Sequence, residues 1–289
     1  MDQIIIGTRA SKLALWQAHH VKDLIESQLK IPVQIKKIST KGDQIQDRSL
    51  MEIGGKGLFL KEIEEELLAD QIDIAVHSMK DVPYDLTAGL EIVAILARAD
   101  SSDAFVCNQF NQIQDLPDKA VVGTSSLRRM LQLQKQYPHL KFKDLRGNVD
   151  TRLKKLDNGE FDAIILASAG LIRLGWESRI AQRLDIVSAV GQGAVGIEIN
   201  SKRQEIKGLM KRLNHVHTEK IVTLERVFSK LIEGTCQTPM GCHVVANETD
   251  DHFFKLICFR ANPDGSDYNE HELTGKWDDG ERLLKELIG

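Results

Sequence analysis

Of the fifteen arginines in these 289 residues, seven fall between Arg128 and Arg183. Arginine is the side chain best suited to gripping a carboxylate with two parallel hydrogen bonds. Its placement here is repetitive. Arg9 follows an apolar run at 3–7, and Ser11 stands where the next helix begins. Thr124, Ser125 and Ser126 follow the run 120–123 and cap a helix whose first turn carries Arg128 and Arg129. Arg146 follows the run 140–144, Arg152 comes one to two turns later, and Arg173 lies beyond the run 162–167. Two cations in a helix's first turn oppose its dipole, at about 0.3–1 kcal/mol each, so a sequence that accepts them uses the charge. Any one of these arginines reads as a solvated surface residue; their repeated position after strand ends marks the group as an anion site. A second constellation is His77-Ser78-Met79-Lys80-Asp81-Val82-Pro83. Lys80 can hold an anion as a point charge. Asp81 is an acid, a base, a carboxylate that stabilises a developing cation, or a turn-former before Pro83. His77 reads as a structural residue at a strand end.

The pattern of apolar residues says what must position these groups. Strands are expected over 3–7, 33–39, 73–77 and 90–96, with helices over 11–29 and 59–69 between them. A second alternating set has strands over 120–123, 140–144 and 162–167, and helices over 126–136, 149–158 and 169–174. Alternation twice over predicts two doubly wound α/β units. Ligands of such sheets sit beyond the carboxyl ends of the strands, at helix N-termini. The last stretch differs: a long helix over 218–232, strands over 244–247, 253–260 and 269–273, and a closing helix over 281–288 form a small α+β unit with an antiparallel sheet.

Composition narrows the function. At roughly 150 residues per domain, the length gives about two domains, or three smaller ones. With 42% hydrophobic and 28% charged residues the chain is globular, not disordered. The net charge of −4 argues against a surface built to grip nucleic acid, yet the stretch 122–155 holds nine basic residues against Asp144 and Asp150, a local excess of seven. The N-terminal MDQIIIGTRAS has no basic n-region, long apolar core or cleavage site of a signal peptide. The longest apolar run, 163–172, is about half the roughly twenty residues of a spanning helix. Cys107, Cys236, Cys242 and Cys258 are too few for a disulfide framework, so the expectation is a reducing cytoplasm. Three motifs mislead. Residues 191–196 spell G-x-G-x-x-G but run into Val195, Ile197 and Ile199, which alternate like a strand, so a tight turn or interdomain crossing fits better than a nucleotide site. Gly54-Gly55-Lys56-Gly57 lacks the Ser or Thr of a phosphate loop and reads as a mobile loop. Cys236, Cys242 and His243 lack a fourth ligand for zinc, so no metal is expected.

Several segments together resemble the porphobilinogen deaminase (hydroxymethylbilane synthase) family: GTRASKLAL (7–15), GGKGLFLKEIE (54–64), DIAVHSMKDVP (73–83), VGTSSLRRMLQL (122–133), the run 145–175, AVGQGAVGIE (189–198) and EGTCQTPMG (233–241). They cover the chain nearly end to end, and HSMKDVP and GTSSLRR are highly specific. The resemblance implies a transferase of heme biosynthesis. Four porphobilinogen molecules lose ammonia and join head to tail into the linear tetrapyrrole hydroxymethylbilane, on a dipyrromethane cofactor linked by a thioether to a cysteine. Cys236 matches that cysteine; Cys242 does not. The family match implies cofactor-binding roles for Lys80, Asp81, Thr124, Ser126, Arg128, Arg129, Arg146 and Arg152. It implies substrate-binding roles for Arg9, Ser11, Arg146, Arg152 and Arg173. Asp81 matches the catalytic acid, stabilising the methylenepyrrolenine cation left by deamination. The implied architecture is two periplasmic-binding-protein-like lobes with the active site in the cleft between them. The boundaries expected are 1–98 with 190–212 for domain 1, 99–189 for domain 2 and 213–289 for domain 3, which carries Cys236. The loop 48–58 matches a mobile loop over the site.

Two other classes make different predictions. A binding protein or sensor for an anionic ligand would use the same arginines but has no role for Lys80, Asp81 and Cys236. A nucleic-acid binder would interleave aromatics with the basic residues, yet the basic stretch offers only Tyr137 and Phe142. The expected protein is a cytoplasmic monomer taking porphobilinogen as its small-molecule partner, with neither nucleic acid nor membrane.

Overall fold

The computed structural model describes residues 2–40, 60–234, 238–246, 250 and 252–288. Cys236 and the loop 48–58 lie outside the described residues, as do the glycines 54, 55 and 57. The chain forms two compact units, Met1–Ala99 with Ala194–Lys220, and Asp100–Gly193 with Ile221–Gly289.

The first unit is a five-stranded sheet in the order β2-β1-β3-β10-β4. Its strands are β1 (Ile4–Arg9), β2 (Val33–Ile38), β3 (Ile74–Ser78), β4 (Leu90–Ile95) and β10 (Val195–Asn200). β1 is parallel to both β2 and β3, whereas β10 runs antiparallel between β3 and β4. Helices cover both faces, which is why β3 and β10 read as almost continuous apolar runs. On one face α1 (Lys12–Leu24) and α6 (Gln204–Met210) bury Ala18, Val21, Ile206 and Met210 against Ile4, Ile6, Val76 and Ile197. On the other, α2 (Lys61–Leu68) sets Ile63 and Leu67 against Ile38, Ala75 and Leu90. At Gly7 in β1 the side-chain ends of Ile72 and Ile38 fill the space a Cβ would take, so a larger residue would have to displace them.

The second unit repeats the plan in the order β7-β6-β8-β5-β9. Here β6 (Val121–Gly123) is parallel to β7 (Lys141–Lys143) and β8 (Ala163–Ala167), while β5 (Asp103–Cys107) is antiparallel to β8 and to β9 (Gln182–Leu184). Successive residues of β5 and β8 point to opposite faces, and both faces are core: Phe105, Ala163 and Ile165 on one, Ala104, Val106, Ile164 and Leu166 on the other. The helices are α3 (Leu127–Gln136), α4 (Val149–Asp157) and α5 (Ser168–Arg173).

The second unit also holds a three-stranded antiparallel sheet, β11 (Met240–Ala246), β12 (Phe253–Arg260) and β13 (Asn269–Lys276). Its inner face alternates as period-two patterning demands: Cys242 and Val244, then Phe254, Leu256 and Cys258. These pack against Phe228 of α7 (Val216–Leu231) and Leu284 of α8 (Gly280–Ile288). The fold class is therefore the expected one, two doubly wound sheets and a small antiparallel α+β element. Strands β5 and β9 and helix α6 were not among the predicted elements, and β11 begins at Met240, four residues ahead of its expected start.

Gly241 marks a close approach of backbones: a Cβ there would stand 2.7 Å from the Ser188 carbonyl oxygen and 2.9 Å from that of Val187. The segment cannot recede freely, since Cys242 N donates to Ser188 O at 3.1 Å. Gly241→Ala is expected to cost about 1–3 kcal/mol, measured as a lowered urea midpoint with unchanged slope.

Candidate active site

In the first unit the candidate residues share one edge of the sheet. Arg9 is the last residue of β1 and half-buried. Ser11 caps α1, its Oγ accepting from Ala14 N at 3.3 Å with extended backbone at the cap. Because β3 is parallel to β1, the turn that follows it, Met79–Asp81, emerges at the same edge. That turn is anchored by its first residue. Met79 is buried, its N donates to Ala194 O at 3.0 Å, and Val82 N donates back to Met79 O at 3.3 Å. Lys80 is half-buried and Asp81 exposed. Buried Gln17 of α1 donates from Nε2 to Ser78 Oγ at 2.8 Å, tying the Arg9–Ser11 corner to the end of β3. His77 is a strand-end structural group: its Nε2 lies 3.0 Å from Glu198 Oε2, and both side chains are buried.

In the second unit the candidates cluster. Thr124 leaves β6 buried, with Thr124 N donating to Lys143 O at 3.0 Å and its Oγ1 accepting from Ser126 N at 3.2 Å. Ser126 caps α3, and its Oγ accepts from Arg129 N at 3.5 Å. Arg128 and Arg129 are not solvated. They are only 5% and 6% exposed, and both close on the carboxylate of Asp103. Arg128 Nη1 lies 2.7 Å from Oδ2, and Arg129 places Nη2 at 2.7 Å and Nε at 2.8 Å from Oδ1. Arg128 Nη1 also donates to Val187 O at 2.6 Å, and Arg129 Nη1 to Ile165 O at 3.1 Å. Gln192, from the G-x-G-x-x-G look-alike, donates from Nε2 to Asp103 Oδ1 at 3.0 Å and to Ser101 O at 2.8 Å.

Burial alone would raise the Asp103 carboxyl. The charges of Arg128 and Arg129, with hydrogen bonds from Arg128 and Gln192, override it and hold the group ionised far below the usual carboxylate range. Burial pulls the Arg129 guanidinium down from its ordinary value, Asp103 opposing and Arg128 adding to the fall. Arg152 is pushed down to about 10, first by burial and then by Arg129, with Asp144 opposing and Arg146 adding. The four arginines thus form one electrostatic cluster, in which Asp103 and Asp144 are acidic partners. Arg146 Nε donates to Asp144 Oδ2 at 2.7 Å, and Arg152 Nε to Gly147 O at 2.7 Å. Gly147 has φ +110°, a left-handed conformation that suits glycine. Arg173, at the end of α5, donates from Nη2 to Gly193 O at 2.7 Å, and burial pushes it down to about 10. Guanidiniums gathered in this way, Arg128 and Arg129 buried and Arg146, Arg152 and Arg173 half-buried, are a donor set for an anionic ligand.

Asp103 and Gln192 are the residues that the sequence reading missed. The available signal was the run Asp103-Ala-Phe-Val-Cys, a short apolar strand that opens on an acid, set against adjacent arginines at a helix start.

The profile described as "Porphobilinogen deaminase, dipyromethane cofactor binding domain" matches residues 4–208, and "Porphobilinogen deaminase, C-terminal domain" matches residues 220–288. Proteins named porphobilinogen deaminase resemble the chain over nearly its whole length. That of Thiobacillus denitrificans is 48% identical, covering 99% of this chain and 94% of its own. That of Francisella philomiragia is 47% identical, covering 99% and 95%, and that of Bordetella parapertussis 46%, covering 100% and 93%.

The chain belongs to the porphobilinogen deaminase family. Every arginine of the candidate site, with Ser11, Lys80, Asp81, Thr124 and Ser126, falls within the family's cofactor-binding domain, and Cys236 within its C-terminal domain. Solved structures of related outline include the methionine-binding protein MetQ, at a TM-score of 0.48 and 14% identity over 73% of this chain and 89% of that one. A periplasmic substrate-binding protein of an ABC transporter from Coxiella burnetii matches at a TM-score of 0.45 and 13% identity, over 73% and 91%. Likeness of that degree carries no functional conclusion. Among the described residues no group of three or more His, Cys, Asp or Glu is placed to hold a metal, and no helix is long and apolar enough to cross a membrane.

Proposed function

We propose that this deaminase-family chain is a hydroxymethylbilane synthase, and that its arginine set holds the acetate and propionate groups of a growing pyrrole chain. One observation carries the reading of the site: the buried guanidiniums of Arg128 and Arg129 and the half-buried ones of Arg146 and Arg152 gather in one cluster with the carboxylates of Asp103 and Asp144. In each round the aminomethyl C–N bond of porphobilinogen breaks, ammonia leaves, and a C–C bond forms with loss of a pyrrole α-proton. The dipyrromethane cofactor, when bound, supplies the free α-carbon at which each ring is added. Arg128, Arg129, Ser126, Thr124 and Lys80 hold mainly the cofactor. Arg9, Ser11 and Arg173 hold mainly the incoming substrate, and Arg146 and Arg152 serve both. Asp81 stabilises positive charge on the pyrrole left by deamination and takes part in moving protons.

Cys236 is the thiol that carries the cofactor in this reading. The support is partly elimination. Cys242 is fully buried on the inner face of β11, and Cys258 faces it from β12. Burial pushes the Cys258 thiol up to about 11, so it is not a thiolate at neutral pH. Cys107 closes β5 opposite Ala163, at the start of β8 and so at the sheet edge away from the arginines. In the native protein, iodoacetamide at pH 8 is expected to leave Cys242 and Cys258 unlabelled, as read by peptide mass. Domain boundaries at 1–98 with 190–212, 99–189 and 213–289, and a monomer working in the cytoplasm without nucleic acid or membrane, complete the proposal.

Intact-protein mass spectrometry tests it. Wild type from cells that make porphobilinogen is expected to carry an excess equal to two deaminated porphobilinogen units. Cys236→Ser loses that excess and Cys242→Ser keeps it. A folded but unmodified wild type sinks the cofactor assignment.

A further inference from the structure

Asp103 touches the arginines rather than any surface a ligand would reach, and it is fully buried. Its position follows from topology. β5 runs antiparallel to β8, so its first residue, Asp103, sits opposite the last residue of β8, Ala167. An acid that opens this strand therefore lies at the carboxyl edge of the parallel strands, the edge where α/β sheets bind ligands. There it pairs with both arginines, Arg128 Nη1 standing 2.7 Å from Oδ2 and Arg129 Nε donating to Oδ1, and Oδ1 also accepts from Gln192, whose Nε2 is held in turn by the carbonyls of Ser101 and Ser102 at 2.8 and 3.2 Å.

The donors left over are informative. Arg128 spends Nη1 on Asp103 and Val187 O, and its Nε and Nη2 donors have no hydrogen-bond partner among the described residues although the side chain is 95% buried. Nε and Nη2 together form one fork of a guanidinium, the geometry that takes a carboxylate in two parallel bonds. Arg129 is turned the other way: Nε and Nη2 face Asp103 and Nη1 the Ile165 carbonyl.

We propose that Asp103 is a positioning residue that locks Arg128 and Arg129 into one orientation, so that the Arg128 fork is presented to a carboxylate of the bound pyrrole chain. This rests on the reading that the arginines hold that chain. It differs from charge balance in its consequences. If Asp103 only offset positive charge, its neutralisation would leave carboxylate capture unchanged or stronger. If it positions, neutralisation weakens capture although the local charge becomes more positive.

The experiment compares wild type, Asp103→Asn and Gln192→Leu, each made without porphobilinogen and then supplied with it. The readouts are the rate at which the two-unit mass excess appears, the far-ultraviolet circular dichroism and the thermal midpoint. Asp103→Asn is expected to fold and to load roughly a hundredfold more slowly, the scale of loss that follows from misplacing a binding group by about 1 Å. Gln192→Leu keeps the Asp103 charge but frees its orientation, and is expected to load roughly tenfold more slowly. Loading at the wild-type rate or faster in folded Asp103→Asn overturns the proposal. Should Asp103→Asn fail to fold, wild-type loading in Gln192→Leu overturns it and slowed loading upholds it. A wild type that never gains the mass excess refutes the functional reading itself, whatever the variants do.

Discussion

Asp81→Ala is expected to fold like the wild type and to turn over about 10²–10⁴-fold more slowly, the range that a positioned acid or base contributes. The two halves of this expectation have separate grounds. Stability is expected to be unaffected because buried Met79 anchors the turn, its N donating to Ala194 O and its O accepting from Val82 N. An exposed side chain at such a place changes stability by about 0.5 kcal/mol or less. The fall in rate follows from the role proposed for Asp81, a carboxylate that stabilises the positive charge developing on the pyrrole. Ammonia release measures the rate and the thermal midpoint measures the fold, while the mass excess reports that the cofactor is still in place. Near-normal turnover would reduce Asp81 to a turn-former ahead of Pro83.

Arg129→Ala acts the other way, on stability first, and is expected to cost about 3–5 kcal/mol, the usual price of breaking a buried ion pair from one side. Arg129 closes on Asp103 with two nitrogens and reaches the Ile165 carbonyl with a third. Its truncation leaves the fully buried Asp103 with Arg128 as its single cation. The pH dependence gives an independent check. The folded-state pKa of Asp103 is depressed below its unfolded value, so its stabilising contribution is complete above the ordinary carboxylate pKa of 3.8 and is lost as pH falls from there. Urea unfolding should therefore show wild type and Arg129→Ala far apart at pH 7 and closer at pH 3. A gap that stays constant across that range would mean Asp103 is not the group whose pairing is lost. Lysine is no substitute at this position, since a point charge cannot occupy both Asp103 and the Ile165 carbonyl.

What could be read in the sequence depended on how local the signal was. The β6–α3 corner was legible because its parts are consecutive: a short apolar strand, three hydroxyl residues, a cap at Ser126 and a helix with apolar periodicity. The same holds for β1 with Ser11 and for β3 with its Lys80-Asp81 turn. Strand β5 escaped because five residues opening on an acid fit neither a period-two nor a 3.6-residue pattern. β9 is three residues long and has no pattern at all. The partner of Arg128 and Arg129 was hidden for a different reason: Asp103 is about 25 residues upstream and meets them only once β5 is laid antiparallel beside β8. Two first-turn cations read as an open charge are in fact half-satisfied from behind. Cys236 carries no local mark in the sequence of the chemistry proposed for it, and only the family resemblance distinguished it from Cys242.

The two α/β sheets share one construction, a parallel set completed by an antiparallel strand, but they differ in when that strand leaves the ribosome. In the second sheet β5 comes first, so all five strands lie within 103–184 and can pair as they are made. In the first, β10 belongs between β3 and β4 but is synthesised about a hundred residues after β4. Until residue 200 emerges, β3 has an open edge and β4 has no neighbour to pair with, a long wait for a non-local contact. The first sheet therefore cannot be completed until the middle of the chain has been made, and the bond from Met79 N to Ala194 O, next to the segment carrying Asp81, is one of the last it can gain.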